Sequence, residues 1–442
     1  MRFLDHRFAL AANGTTVRTE IVAGVTTFLT MAYIIFVQPA VLSAAGMDFG
    51  AVLAATCLAT ALATALMALL ANYPIAVAPA MGHNFFFAYS VVVGMNVPWR
   101  VALGGVAIAG IVFVLTAGVG LRERLITAIP TSIKHAIAAG IGLLIAAIGL
   151  QWAGLIKASP GTLVTLGNVH SPPVLLAVGG LTLTAILVAR RVPGAFLWGM
   201  LASTALGLPF GLTQYHGLAG RPPSLAPTFL QLDIVGAFAP GMVAVIFVFF
   251  FLALFDSVGT LVGVGEQAGL MRDGVLPRAR QALLADAIGT VAGAALGTST
   301  VTAYIESGAG VAAGGRTGLA SLVTAALFLL SLFCYPLAQM VGGGYTSGGV
   351  TLYPVIAPPL ILVGTMMVGG LRHVAWEDPT EAIPAFLTLI IMPLAVSITE
   401  GVAVGLLSYA LLKLASGRGR DVHPLIYVFA VLFLGRYMFL VR

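Results

Sequence analysis

Apolar runs that exclude charge over the width of a bilayer recur along this sequence. Ile21–Ala45 holds no charged side chain, and Val243–Phe255 holds none before Asp256. A hydrocarbon core about 30 Å thick needs roughly 20 residues of apolar helix. In lipid every backbone polar group must find an internal partner, so such runs fold as helices. Composition agrees: 60% of the 442 residues are hydrophobic and 8% are charged, where a soluble domain carries about 25%. The chain reads as an all-α polytopic membrane protein, with the lipid bilayer as its first partner.

Fourteen transmembrane segments are expected. The first half holds Ile21–Ala45, Gly50–Ala71, an interrupted Ile75–Met95, Val101–Gly120, Ser132–Gly149, Pro173–Ala189 and Pro193–Gly211. After a polar loop, Thr213–Asp233, come Met242–Val264, Gln281–Leu296, an interrupted Thr298–Ala313, Thr317–Leu337, Thr351–Gly369, Ala382–Ile398 and Gly401–Leu414. Pro424–Val441 reads either as an interfacial helix or as an extra span. With the first residues in the cytoplasm, the inside segments hold Arg7, Arg18, Arg122, Arg124, Lys134, Arg190, Arg191, Arg272 and Arg316 among others, and the outside loops hold only Arg100, Lys157 and Arg221. That is the positive-inside asymmetry, and it puts both termini in the cytoplasm. The net charge of +6 is thus explained by topology, and no basic stripe interleaved with aromatics points to nucleic acid. Cys57 and Cys334 suggest neither a disulfide framework nor zinc. Met1–Glu20 has no apolar core of a cleavable signal.

Two stretches are not uninterrupted membrane helices. Gly297–Gly315, GTSTVTAYIESGAGVAAGG, sets an extended Thr/Ser-rich piece before a helix expected over Ala303–Gly310. Pro74–Tyr89, PIAVAPAMGHNFFFAY, does the same, with a helix start near Met81–Asn84. Paired interrupted segments in the two halves of a transporter bring half-helix ends to a binding site near the midplane. Each half also opens its fourth span on a Gly-Gly pair, Gly104–Gly105 and Gly314–Gly315. Seven spans per half is an odd number, so the second copy is inverted in the membrane, an arrangement of alternating-access carriers.

Ionisable residues within membrane segments mark function by default, and each costs about 2.5–3.5 kcal/mol on insertion scales. Asp256 shares a helix face with Thr260, four residues on. Glu306 opens the second half-helix. A desolvated carboxyl can be neutral at physiological pH, which suits a group that takes a proton on one side and releases it on the other. Asn84 reads as a ligand or as an N-cap of the first half-helix. His83 reads as a proton relay, a ligand or a packing residue. Phe85–Phe87 could stack on a flat ring. Thr298, Ser299 and Thr302 are expected to satisfy broken backbone, Gln38–Pro39, Glu400 and Pro358–Pro359 to mark kinks and span ends, and Asp286 to pair with a neighbour near its span's cytoplasmic end. There is no GxxxxGK[ST], HExxH or CxxC motif, so no enzyme is expected and an ion gradient is left as the energy source.

At these residues the chain resembles the AzgA-like adenine/guanine/hypoxanthine permeases of the nucleobase–cation symporter superfamily, with its xanthine/uracil permease fold. The matching stretches are Asn13–Val37, Ala78–Tyr89, Leu254–Val264, Gly297–Leu319 and Glu381–Gly405. The resemblance implies a core (residues 1–125 and 236–340) and a gate (126–235 and 341–416), with 417–442 as a cytoplasmic or interfacial tail. It implies that Asp256 and Glu306 bind a purine nucleobase beside Asn84, with Phe85 and the backbone near Ile305 completing the pocket. Thr260 and His83 join that substrate-binding set, and Asp256 and Glu306 carry the proton coupling. It also implies proton-coupled import across a bacterial inner membrane, no cofactor beyond the proton gradient, with Na⁺ as the other candidate ion, and a homodimer contact through the gate. Two positions depart from the family pattern: His83, where an apolar residue is expected, and Gln38, where Asn is expected.

Other readings remain open on the sequence. Uracil, xanthine, urate, a dicarboxylate or sulfate would suit related carriers, although two midplane carboxyls disfavour an anion. A channel would line its path with repeated polar rings. An intramembrane enzyme would need a nucleophile–base pair or a metal cluster.

Overall fold

Helix starts follow local chemistry. Thr16 and Asp48 lie in extended conformation, and their side chains accept the N–H of Thr19 and Ala51, the usual N-cap arrangement. They open α1, Val17–Met31, and α3, Phe49–Leu66. Between them α2, Ile34–Ser43, continues the line of α1 after a break at Ala32–Tyr33. The computed structural model describes Asp5 and residues 7–119, 130–239, 241–271, 276–347 and 349–439. Arg122, Arg124, Arg272 and the border at residue 125 lie outside these.

After α3 come β1, Val77–Pro79, and α4, Met81–Phe85, which widens into a π-helical stretch, Phe86–Gly94. The first half continues with α5, Trp99–Val119; α6, Thr131–Trp152; a hairpin of β2, Ile156–Ser159, and β3, Leu163–Leu166; α7, Pro172–Ala189; and α8, Ala195–Gly207. The second half holds α9, Met242–Gln267; α10, Ala279–Leu296; β4, Val301–Ala303; α11, Ser307–Ala312; α12, Gly318–Leu330; and α13, Tyr335–Gly342. A hairpin of β5, Tyr345–Ser347, and β6, Val350–Leu352, precedes α14, Ala357–Val368; α15, Pro379–Ala395; α16, Ile398–Ala415; and α17, Pro424–Phe439. Among the described residues, 8 helical segments are long and apolar enough to cross a membrane, and three more are apolar but shorter. The chain is a multi-pass membrane protein, mostly helical.

Both expected interruptions are present. The second differs in detail: Ala303 ends a strand, and the helix begins only at Ser307. The expected span from Thr351 also starts differently, since Thr351 sits in a hairpin strand and the helix begins at Ala357. The β-prone pair Thr346 and Thr351 face each other there, with hydroxyls 2.9 Å apart.

Two groups of helices pack chiefly among themselves. One is α1, α3, α5, α9, α10 and α12; the other is α6, α7, α14, α15 and α16. In the second group α6 and α14 approach through reciprocal glycines. A Cβ on Gly142 would lie 2.6 Å from the Met367 Cβ, and one on Gly364 would lie 2.7 Å from the Ala146 Cβ. Between membrane helices, where lipid removes the hydrophobic drive to associate, small residues allow the close packing that holds them.

Candidate functional site

The two interrupted segments meet. β1 and β4 pair antiparallel with Val77 opposite Ala303, Ala78 opposite Thr302 and Pro79 opposite Val301. Two further backbone bonds extend the pairing, Tyr304 N–H to Ala76 O (2.9 Å) and Ala80 N–H to Thr300 O (3.0 Å). A three-residue ladder deep in a membrane protein leaves backbone groups that need partners. A threonine from each half supplies them. The Thr64 hydroxyl donates to Val77 O and accepts from Val77 N–H, at 3.0 and 2.9 Å. The Thr290 hydroxyl does the same to Val301 O and N–H, at 2.8 and 3.2 Å. The same device thus recurs at corresponding places in the two halves.

Side chains converge on this crossing. Asp256 stands midway along α9, where its Oδ2 accepts from the Thr302 hydroxyl of β4 at 2.9 Å. Buried Asp286 of α10 accepts the N–H of Ala303, the next residue of the strand, on Oδ2 at 3.3 Å. Glu306 directly precedes α11, and its Oε1 accepts from the Tyr33 hydroxyl at 2.8 Å, across the break between α1 and α2. Asp256 lies within electrostatic reach of both Glu306 and Asp286. The fully buried Asn84 accepts from the Ser299 hydroxyl on Oδ1, and its Nδ2 has no partner among the described residues. Gln38 of α2 donates from Nε2 to the Thr298 and Ser299 hydroxyls, at 2.9 and 3.3 Å.

A cavity of about 530 Å³ opens against the crossing. Asp256, Thr260, His83 and Ile305 line it, together with Phe251 and Phe255 of α9 and Lys134 and Ile141 of α6. Asp256 presents its side chain to this space. Ile305 is 62% exposed there, whereas Glu306, the next residue, is partly covered beside Tyr33. His83 is 3% exposed, and neither ring nitrogen has a hydrogen-bond partner among the described residues.

The sequence-derived candidates therefore divide. Asp256, Thr260, His83 and Ile305 share one cavity wall. Glu306 and Asn84 sit at the crossing behind that wall. Phe85 is fully buried away from the cavity, stacked on Tyr89 with ring centroids 5.7 Å apart. The aromatic lining instead comes from Phe251 and Phe255, whose four-residue spacing with Phe247 on α9 was visible in the sequence. Asn84 does not cap its half-helix: the N-cap position is Ala80. Gln38, expected with Pro39 to mark a kink or a span end, lies within α2 and donates to the second interrupted segment. Asp286 is not near a solvated end but holds the strand carrying Thr302. Tyr33, Thr64 and Thr290 gave no sequence signal, being common residues in apolar runs.

Chemically, the arrangement offers a carboxylate and a hydroxyl facing a partly aromatic cavity, a second carboxylate one residue behind it, and half-helix termini on both sides. A flat, hydrogen-bonding solute with N–H edges fits such a wall, since carboxylates accept and aromatic faces stack.

Comparison with known proteins gives the relatives of the chain. The chain is 45% identical over 438 residues to the adenine permease AdeP of Escherichia coli, covering 99% of this chain and 96% of AdeP. It is 47% identical over 439 residues to the guanine/hypoxanthine permease PbuG of Bacillus subtilis, covering 97% and 98%. In fold it is similar to the transmembrane domain of the cyanobacterial bicarbonate transporter BicA, with a TM-score of 0.63 at 18% identity, over 88% of this chain and 96% of that one. The model of the permease family Xan_ur_permease matches residues 18–404. With that match over most of its length, and with such relatives along all of it, the chain belongs to this permease family.

Proposed function

We propose that this protein imports purine nucleobases of the adenine, guanine and hypoxanthine class by proton symport, with alternating access. The observation that carries the reading is the cavity wall on which Asp256 and Thr260 of α9 stand beside Ile305 of the second interrupted segment. The similarity to an adenine permease, AdeP, and a guanine/hypoxanthine permease, PbuG, supports the substrate class.

In this reading Asp256 accepts from N–H groups of the base, and Phe251 and Phe255 take its face. Glu306, with Tyr33 as its hydroxyl partner, completes the site once the base seats against Ile305. Asp256 and Glu306 are the two groups through which the proton is coupled. The cavity is bounded by Lys134 in the first turn of α6, the end that the positive-inside rule assigns to the cytoplasm. The described conformation is then inward-facing. The first helix group carries the substrate and the second acts as the gate, which also supplies the homodimer contact.

Thermal-shift binding of the purified protein against adenine, guanine, hypoxanthine, xanthine, uracil, sulfate and bicarbonate tests this, because a ligand that binds only the native state raises its melting temperature. Stabilisation by a purine, lost in Asp256→Ala, is expected. Stabilisation by an anion alone would overturn it. Glu306→Gln is expected to abolish proton-driven accumulation while the protein remains inserted, and pH-dependent uptake by that variant would remove Glu306 from the coupling role.

A further inference from the structure

The helix α17 lacks the charged face of an interfacial helix. Between Pro424 and Gly435 it holds no charged residue. Ile426, Ala430 and Phe433, spaced as one helical stripe, are buried, while Val428, Val431, Leu432 and Leu434 are exposed. A helix lying in the membrane surface sets a strongly polar face against an apolar one. A helix apolar all round belongs inside a core or a bilayer.

Its contacts give it a direction. The Tyr427 hydroxyl donates to the Gly419 carbonyl at 2.9 Å, just beyond the end of α16. The Tyr437 hydroxyl donates to the Glu400 carboxylate, in the first turn of α16. About 15 Å of helix axis separates the two tyrosines. The helix therefore runs antiparallel along α16, back across the thickness that α16 has just traversed. On another side Phe429 meets Phe247, in the second turn of α9, with ring centroids 4.0 Å apart.

Phe247 is the end of a ladder. Its ring lies 5.7 Å from that of Phe251, which lies 4.4 Å from that of Phe255. The Lys134 ammonium of α6 lies 5.1 Å from the Phe255 centroid. Phe251 and Phe255 line the cavity that holds Asp256. The ladder thus runs from α17 at one end to the cavity at the other, along the face of α9 turned to the second helix group.

We propose that α17 is embedded in the bilayer as a part of the gate, and that Phe429 is a positioning residue which, through Phe247 and Phe251, sets where Phe255 stands at the cavity wall. The proposal rests on the transport reading above for its functional half only. Because α17 is tied to α16 and to the turn just beyond it by two hydrogen bonds, and meets α9 through the Phe429 and Phe247 rings, it travels with the gate, and the Phe429–Phe247 contact slides when α9 moves.

Two measurements test it on the full-length chain. Alkaline phosphatase, active only outside, and green fluorescent protein, fluorescent only in the cytoplasm, are fused in turn after Ser416 and after residue 442. The two fusion points are expected to report opposite faces, and the same face at both would overturn the embedding. Uptake kinetics are then compared for Phe429→Ala, Phe429→Tyr and the lipid-facing Val431→Ala. Phe429→Ala is expected to raise the half-saturation concentration by about three-fold or more with protein abundance unchanged. Phe429→Tyr should restore it, and Val431→Ala should not alter it. An unchanged half-saturation concentration in Phe429→Ala would overturn the positioning role. If the parent protein takes up no nucleobase, the transport reading falls, and the fusions still decide where α17 lies.

Discussion

Thr64 and Thr290 each do with one hydroxyl what a neighbouring strand would otherwise do, donating to a carbonyl and accepting an N–H of the same valine. Replacing either by Val keeps the shape and leaves two backbone groups buried without partners, each worth about 1–3 kcal/mol. Thr290→Val is therefore expected to lower the melting temperature of the purified protein and Thr290→Ser to recover it, as read by intrinsic fluorescence on heating. Tyr33→Phe removes a single neutral donor from Glu306. At about 1 kcal/mol for such a bond, uptake should fall roughly 5-fold with abundance unchanged, and a loss comparable to Glu306→Gln would mean that Tyr33 does more than orient the carboxyl. Neither prediction was open to sequence reading. Asp256 and Glu306 stood out because a charge in an apolar run is costly. Tyr33 and the threonines carry no such cost, and Tyr33 finds Glu306 across 273 positions of chain.

Among the elements, α15 and α16 show how a charged cluster is tolerated at the edge of the membrane. Lys413 is 1% exposed, with its ammonium 2.8 Å from Glu381 and 3.8 Å from Asp378. Breaking such a buried pair from one side costs about 3–5 kcal/mol, so Glu381→Ala should lower the melting temperature sharply, whereas Glu381→Leu combined with Lys413→Met should recover much of it. Asp378 caps α15 by accepting from Thr380 N–H, and Arg418 sits 2.7 Å from its other oxygen. The Thr380 hydroxyl and then the Arg418 guanidinium hold its carboxyl well below the usual carboxylate range. A depressed folded value means that its contribution is present above the ordinary carboxylate pKa and is lost only as pH falls through the lower one. Asp378 thus stays charged from pH 5 to 8, and Asp378→Asn should leave the shape of the uptake–pH profile in that window unchanged. The interrupted elements were legible because Thr/Ser-rich and Pro-punctuated runs do not propagate a helix. The two β-hairpins were not, since their strands are short and lie between apolar runs that read as helix.

At the scale of the molecule, the family and the multi-pass character rest on patterns that extend over hundreds of residues, and these were legible early. How close two helices come is set by single atoms. Gly142→Val would drive a branched side chain into Met367 and the Gly364 carbonyl, and overpacking of that kind costs about 1–3 kcal/mol. A lower melting temperature is expected, and because Met367 also lines the cavity, the thermal shift given by a bound purine should shrink with it. The crossing of β1 and β4 has one more consequence. Each strand is held by a threonine of its own half and completed by backbone from the other, so neither half possesses a finished site. A chimera that takes residues 1–235 from one permease and 236–442 from another would not inherit the selectivity of either parent; it would have to assemble a pocket of its own at the seam.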